Sequence, residues 1–120
     1  MAGSGYPPSM STQEERARRI GLNEALFRQV NDEIQDAYKT DEAETDRLSI
    51  LCECGDLDCT MQVPIPFERY RAVRADPLLF IVTPGHDAPD VETIVEREED
   101  FEIVSKDSGI PEKIARSTAP

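Results

Sequence analysis

An α+β fold is predicted by one change of rhythm: apolar residues recur every three to four positions up to about Lys39 and every second position from Arg47 onward. Two further observations agree. The alternating runs are short and separated by Gly, Pro and Asp, and the segment "PFERYRAVRAD" between them returns to the helical period. The architecture this implies is one small domain, 12–107, with a long N-terminal helix, a mostly antiparallel sheet of four to five short strands and one short helix. Residues 1–11, rich in Gly, Pro and Ser, are expected to be a disordered tail, and the polar stretch 108–120 a flexible one in which "PEKIAR" forms at most one or two helical turns.

The first element is read from "STQEERARRIGLNEALFRQVNDEIQDAYK". Ser11 and Thr12 are N-cap candidates, each followed three residues later by Glu14 or Glu15, and the helix should run from about Thr12 to Lys39. Ile20, Leu26, Phe27, Val30, Ile34, Ala37 and Tyr38 fall on one arc at 100° per residue, interrupted by Asn23. That stripe should pack on the chain's own sheet. Gly21 weakens a helix by about 1 kcal/mol relative to Ala, so the turns before Leu22 are expected to fray.

An acidic linker, "TDEAETD", leads to "LSILC" and "MQVPI", two strands flanking a cysteine-bearing turn, with Pro64 marking the second as an edge. Pro66 can serve as the first residue of the short helix, which ends at Asp76-Pro77. "LLFIV" is the most apolar strand. After the loop "TPGHDAPD" come "VETIV" and "FEIV", joined by the charged hairpin "EREED".

Charge narrows the function. Thirteen basic and 25 acidic residues give a net charge of −12, a field that repels phosphate backbones and anionic lipids. Nucleic acid and membrane are therefore excluded as partners, and a macromolecular partner should present a basic surface. No apolar run approaches the roughly 20 residues that span a bilayer, and "MAGSGYPPSM" has neither a basic nor an apolar leader region. With an odd number of cysteines, this favours the reducing cytoplasm.

All three cysteines lie in "CECGDLDC". Positions i and i+2 of a strand face the same way, so Cys52 and Cys54 share one space, and the turn at Gly55 can return Cys59 to them. His86, the only histidine, follows "PG" at the end of the apolar strand and is the natural fourth ligand. Cys52, Cys54, Cys59 and His86 make a closed Cys3His set, which suits a structural zinc and leaves no open position for water. Core-filling cysteines are a weaker explanation for three thiols in a charged turn. A Cys52–Cys54 disulfide is disfavoured by the separation of same-face strand positions, whereas Cys54–Cys59 is geometrically easier. Glu53, Asp56 and Asp58 surround the thiols with negative charge, which disfavours a free thiolate unless a cation is bound.

Other chemistry has little support. Arg16, Arg18 and Arg19 form the only basic cluster, and Glu14–Arg18 and Glu15–Arg19 can neutralise it as i,i+4 pairs. The carboxylates sit in solvated runs, and no GxSxG, HExxH or phosphate-loop motif is present. No catalytic residue is assigned.

The stretches "RIGLNEALFRQVN", "CECGDLDC", "YRAVRADPLLFIVTPGH" and "VETIVERE" resemble a group of short acidic bacterial proteins with a CxCGDxxC…PGH pattern. The resemblance covers most of the chain between its tails and implies a complete small protein. It carries no activity, fold or metal. The residues themselves lead to a zinc-stapled module that binds or regulates another cytoplasmic protein. A thiol redox sensor that releases zinc on oxidation, and a zinc enzyme with an open ligand position, are the alternatives.

Overall fold

Segments with the helical period and segments that alternate fold into separate layers in the computed structural model, which describes residues 12–41 and 47–119. The order is α1 (Thr12–Asp41), β1 (Arg47–Leu51), β2 (Gln62–Pro66), α2 (Phe67–Arg74), β3 (Leu79–Val82), β4 (Glu92–Arg97), β5 (Glu102–Lys106) and α3 (Ile110–Ser117). The α+β class is as the sequence implies. The expected tail 1–11 and the centre of the acidic linker, 42–46, lie outside the described residues.

The five strands divide between two sheets rather than forming one. β1 and β2 make a hairpin, and the second sheet has the order β3-β5-β4, with every pair antiparallel. In β1, Leu48 and Ile50 turn inward while Arg47 and Ser49 face out, the alternation a one-sided sheet requires. Beyond β1 the chain runs on past β3, where Glu53 N–H donates to Ile81 O (2.8 Å), linking the two sheets through a single backbone bond. Inside lie Ile50, Val63, Ile65, Tyr70, Phe80, Ile81 and Val104, all essentially inaccessible. Each such side chain contributes about 1.5–3 kcal/mol by leaving water.

The buried face of α1 is not the one that the apolar arc marks out. Ala17, Ile20, Glu24, Arg28 and Asn31 are buried, whereas Leu26 is half exposed and Ala37 is exposed. Ile20 is buried and Ile34 and Tyr38 pack on the core, so only part of the expected stripe faces inward. The helix turns because its inward polar groups find partners in both sheets. Lys106 of β5 donates to Glu24 and also to Glu92 (2.8 Å). Asn31 donates to Leu51 O (2.9 Å) and accepts from Leu51 N–H (2.8 Å).

Two expectations fail for a common reason. Residues 108–119 are not a flexible tail: α3 packs on α1, with Ala115 buried, and the domain runs on to at least its C-terminal end. Gly21 does not fray the helix but admits α3, since a Cβ there would stand 3.1 Å from Ile114 Cγ2. Arg28 then donates to Ala115 O (3.1 Å), a carbonyl near the end of α3 that the helix itself leaves unpaired, and to the Thr118 hydroxyl (2.9 Å). Pro66, expected inside α2, stands just before its first residue, Phe67.

Two carboxyls, Glu24 and Glu92, share one buried ammonium, so one of them must hold a proton or leave net charge in the interior. Burial raises the pKa of Glu24 well above its ordinary 4.5, although Lys106 pulls it down. A raised folded-state pKa contributes stability below the unfolded value and loses it as pH climbs through the folded value. Glu24→Gln cannot ionise, so its stability relative to wild type should increase as pH rises above the ordinary 4.5 of a glutamate in urea unfolding. Parallel pH profiles would exclude a proton on Glu24. A second outcome concerns Glu53, fully buried against Arg74: Glu53→Ala should cost about 3–5 kcal/mol by the same measurement, because it leaves Arg74 buried without its carboxylate.

Candidate metal centre

Strand alternation builds the site. Cys52 follows β1 and keeps its ladder, donating from its N–H to Met61 O (3.0 Å), and Cys54 lies two residues on, on the same side. Gly55 takes φ +80°, and a Cβ there would meet Glu24 Cγ at 3.1 Å and Ile20 O at 3.2 Å, so the turn needs both the backbone freedom and the missing side chain. Asp56 accepts from Asp58 N–H through its carboxylate (2.9 Å) and from Cys59 N–H through its carbonyl (3.0 Å), returning Cys59 to the other two thiols. Neither aspartate belongs to the ligand group. His86 comes from the turn after β3, where its N–H donates to Thr83 O (2.9 Å).

The four side chains named from the sequence converge. One donor atom from each of Cys52, Cys54, Cys59 and His86 lies within 4.8 Å of the other three. His86 Nδ1 is 3.6 Å from Cys52 Sγ and 3.7 Å from Cys59 Sγ. A tetrahedral zinc with Zn–S of about 2.3 Å and Zn–N of about 2.05 Å requires an S···N edge of about 3.6 Å. Two of the six donor–donor distances therefore match such a tetrahedron, through Nδ1 of His86, and the four side chains are positioned to hold a metal ion. Cys52 is buried, whereas Cys54, Cys59 and His86 are half buried. All three cysteines are free thiols.

The electrostatics differ from the expectation in one respect. Glu53 does not face the thiols: lying between Cys52 and Cys54 in extended chain, it points the opposite way into the interior. There its carboxylate accepts from Asn31 (2.7 Å), Arg74 (2.6 and 2.7 Å) and Ile81 N–H (2.9 Å). The Cys52 thiolate is favoured by donors. A hydrogen bond from Cys54, aided by Thr83 N–H (3.1 Å), brings Cys52 down to about 5 against the upward push of burial. Cys54, donating that proton and partly buried, is pushed above the usual thiol range. A thiolate anchored by a backbone N–H is one ligand prepared for a cation before the cation arrives.

Sequence reasoning missed Asn31, Arg74 and Thr83, which hold the ligand strand from behind. The i,i+2 rule applied to Glu53 would have shown that its charge lies on the other side; its partners come from distant elements and leave no local signal. The expected pairs Glu14–Arg18 and Glu15–Arg19 are also not among the ion pairs of the described residues, and Arg16 instead donates to Asp90 (2.8 Å). Beside the ligands lies an open groove of about 530 Å³, walled by Cys54, Gly55, Asp56 and His86 on one side and by Arg16, Arg19 and Asn23 on the other. Comparison of the chain with protein-family models, with curated proteins and with solved structures finds no match.

The ligand set gives a graded expectation. Cys52→Ser, Cys54→Ser and Cys59→Ser should each largely abolish retention of zinc, and His86→Ala should weaken it, when metal is measured by elemental analysis of protein purified without chelator. Equal retention in the histidine variant would remove His86 from the set.

Proposed function

We propose that this chain is a small zinc-binding protein of the cytoplasm, akin to the short acidic bacterial proteins it resembles, in which a structural zinc staples a module that binds or regulates another protein. One observation supports the metal: three thiols and one imidazole nitrogen lie within 4.8 Å of one another, with two S···N distances at those of a zinc tetrahedron. When bound, the ion supplies four fixed ligand bonds and no water for hydrolysis.

The chain's own residues explain why a staple is useful here. The cysteine turn is fixed to α1 by Asn23, which donates to Gly55 O (3.1 Å), and to the second sheet by Glu53. His86 belongs to the loop after β3. Tying His86 to the cysteines closes the one corner where the two sheets meet without a shared ladder. In a chain of 120 residues with a modest core, such a tie contributes directly to folding.

The partner reading rests on charge. A net charge of −12 disfavours nucleic acid and anionic membrane, and no helix among the described residues is long and apolar enough to cross a membrane. A protein with a basic surface is the occupant that such a field attracts, and rim charges of this kind act mainly on association rate.

Elemental analysis should find close to one zinc per chain, and chelation should remove much of the folded structure seen by circular dichroism. Fully folded, metal-free protein would overturn the staple. Affinity capture should return a basic protein whose recovery falls as salt rises from about 50 mM to about 500 mM, because screening shortens the reach of surface charge. Capture of duplex DNA at physiological salt, or metal-dependent turnover of a small molecule, would overturn the module.

A further inference from the structure

The three thiols are not equivalent, and their differences define a second chemistry. The β1–β2 register pairs Leu51 with Gln62, and the bond from Cys52 N–H to Met61 O carries it one step further. There the ladder ends: Glu53 N–H turns to Ile81 O and Cys59 N–H donates to Asp56 O, closing a turn that returns Cys59 to Cys54 with their sulfurs within 4.8 Å of each other. A disulfide across such a turn needs Cα atoms about 4.4–6.8 Å apart. Cys52 and Cys54, two apart along one strand, are about 6.6 Å apart, near the upper limit, and a bridge between them would twist the strand.

Access separates the thiols in the same way. Cys52 is 2% exposed and its sulfur accepts from Thr83 N–H, whereas Cys54 and Cys59 are half exposed. Cys54 also forms part of the wall of the 530 Å³ groove, so a small reagent reaches it from solvent. Arg19, in that wall, is in no ion pair among the described residues.

We propose that Cys54 and Cys59 are an oxidation site: hydrogen peroxide converts this pair, and not Cys52, into a disulfide and thereby expels the metal. The proposal rests on the zinc reading above. The electrons balance within the pair. One thiolate attacks a peroxide oxygen and the O–O bond breaks, giving a sulfenic acid and, after protonation by solvent, water. The other thiolate attacks that sulfur, forming the S–S bond and releasing a second water. Two thiolates lose two electrons, and one peroxide gains them. Cys52 and His86 then remain as two ligands from different segments, too few for a tetrahedral site, and the loop carrying His86 loses its tie to the cysteine turn.

The test uses the full chain loaded with zinc, one equivalent of peroxide, a chromogenic chelator to read released metal, and peptide mapping after alkylation. Expected are one zinc released per chain, a single bridge joining Cys54 to Cys59, Cys52 alkylated as the one remaining thiol, and recovery of zinc binding after reductant and added zinc. A bridge that includes Cys52, over-oxidised cysteines without a bridge, or zinc retained by the bridged chain would each overturn the oxidation site while leaving the zinc staple intact. The zinc content measured before peroxide is added separates the two: a chain that holds no zinc overturns the staple and, with it, metal release.

Discussion

Glu53 is the constraint around which the rest of the molecule is arranged. Its carboxylate, wholly buried, accepts from α1 through Asn31, from α2 through Arg74 and from β3 through the N–H of Ile81, while its own N–H donates to Ile81 O. Three elements, two helices and a strand, meet at one side chain. A charge taken out of water is costly unless its lone pairs are filled, and here both oxygens are hydrogen-bonded. The same residue sits between Cys52 and Cys54, so the bonds that fix Glu53 on one face hold the two sulfurs on the other, toward Cys59 and His86.

The polar seam continues along α1. Phe80 lies under it, with the Arg28 guanidinium 4.7 Å from its ring centre, Arg74 at 5.9 Å and Lys106 Nζ at 5.7 Å. Three buried cations around one ring are tolerated because each also has oxygen partners: Pro77 O and Ala115 O for Arg28, Glu53 for Arg74, Glu24 and Glu92 for Lys106. An apolar face would bury the helix in several rotations of similar energy. Paired polar groups accept only one, so here they set orientation where apolar area alone would set affinity.

This seam is also where the sequence was hardest to read. The strands, the turn and the clustering of Cys52, Cys54, Cys59 and His86 were legible because each depends on local rules: alternation, Gly and Pro punctuation, and the spacing of thiols. The face of α1 was not, because Glu24, Arg28 and Asn31 look like solvent residues until their partners at Lys106, Ala115 and Leu51 are known. The packing of α3, read from the sequence only as one or two turns in a flexible tail, was hidden for a related reason. Its eight residues are too few to declare a helix alone, and what stabilises it is the gap left by Gly21 and the cap supplied by Arg28, both from α1.

The four clustered side chains lie at a junction of the two sheets. There residues 52 and 53 pass the edge of β3 and bond to it, and an edge with few backbone bonds opens readily. Glu53 closes that edge from the interior, with two hydrogen bonds to Ile81. Cys52 closes it from the other side, its sulfur accepting from Thr83 N–H two residues further along β3. A cation held by Cys52 and His86 would weaken the sulfur as an acceptor but would add a bonded tie to the loop three residues beyond Thr83. The junction is then held from both faces of one short extended segment, by a buried ion pair on one side and by the ligand cluster on the other. Each depends on the other for its register: a one-residue slip of 52–54 would turn the carboxylate toward the ligands and the sulfurs into the core.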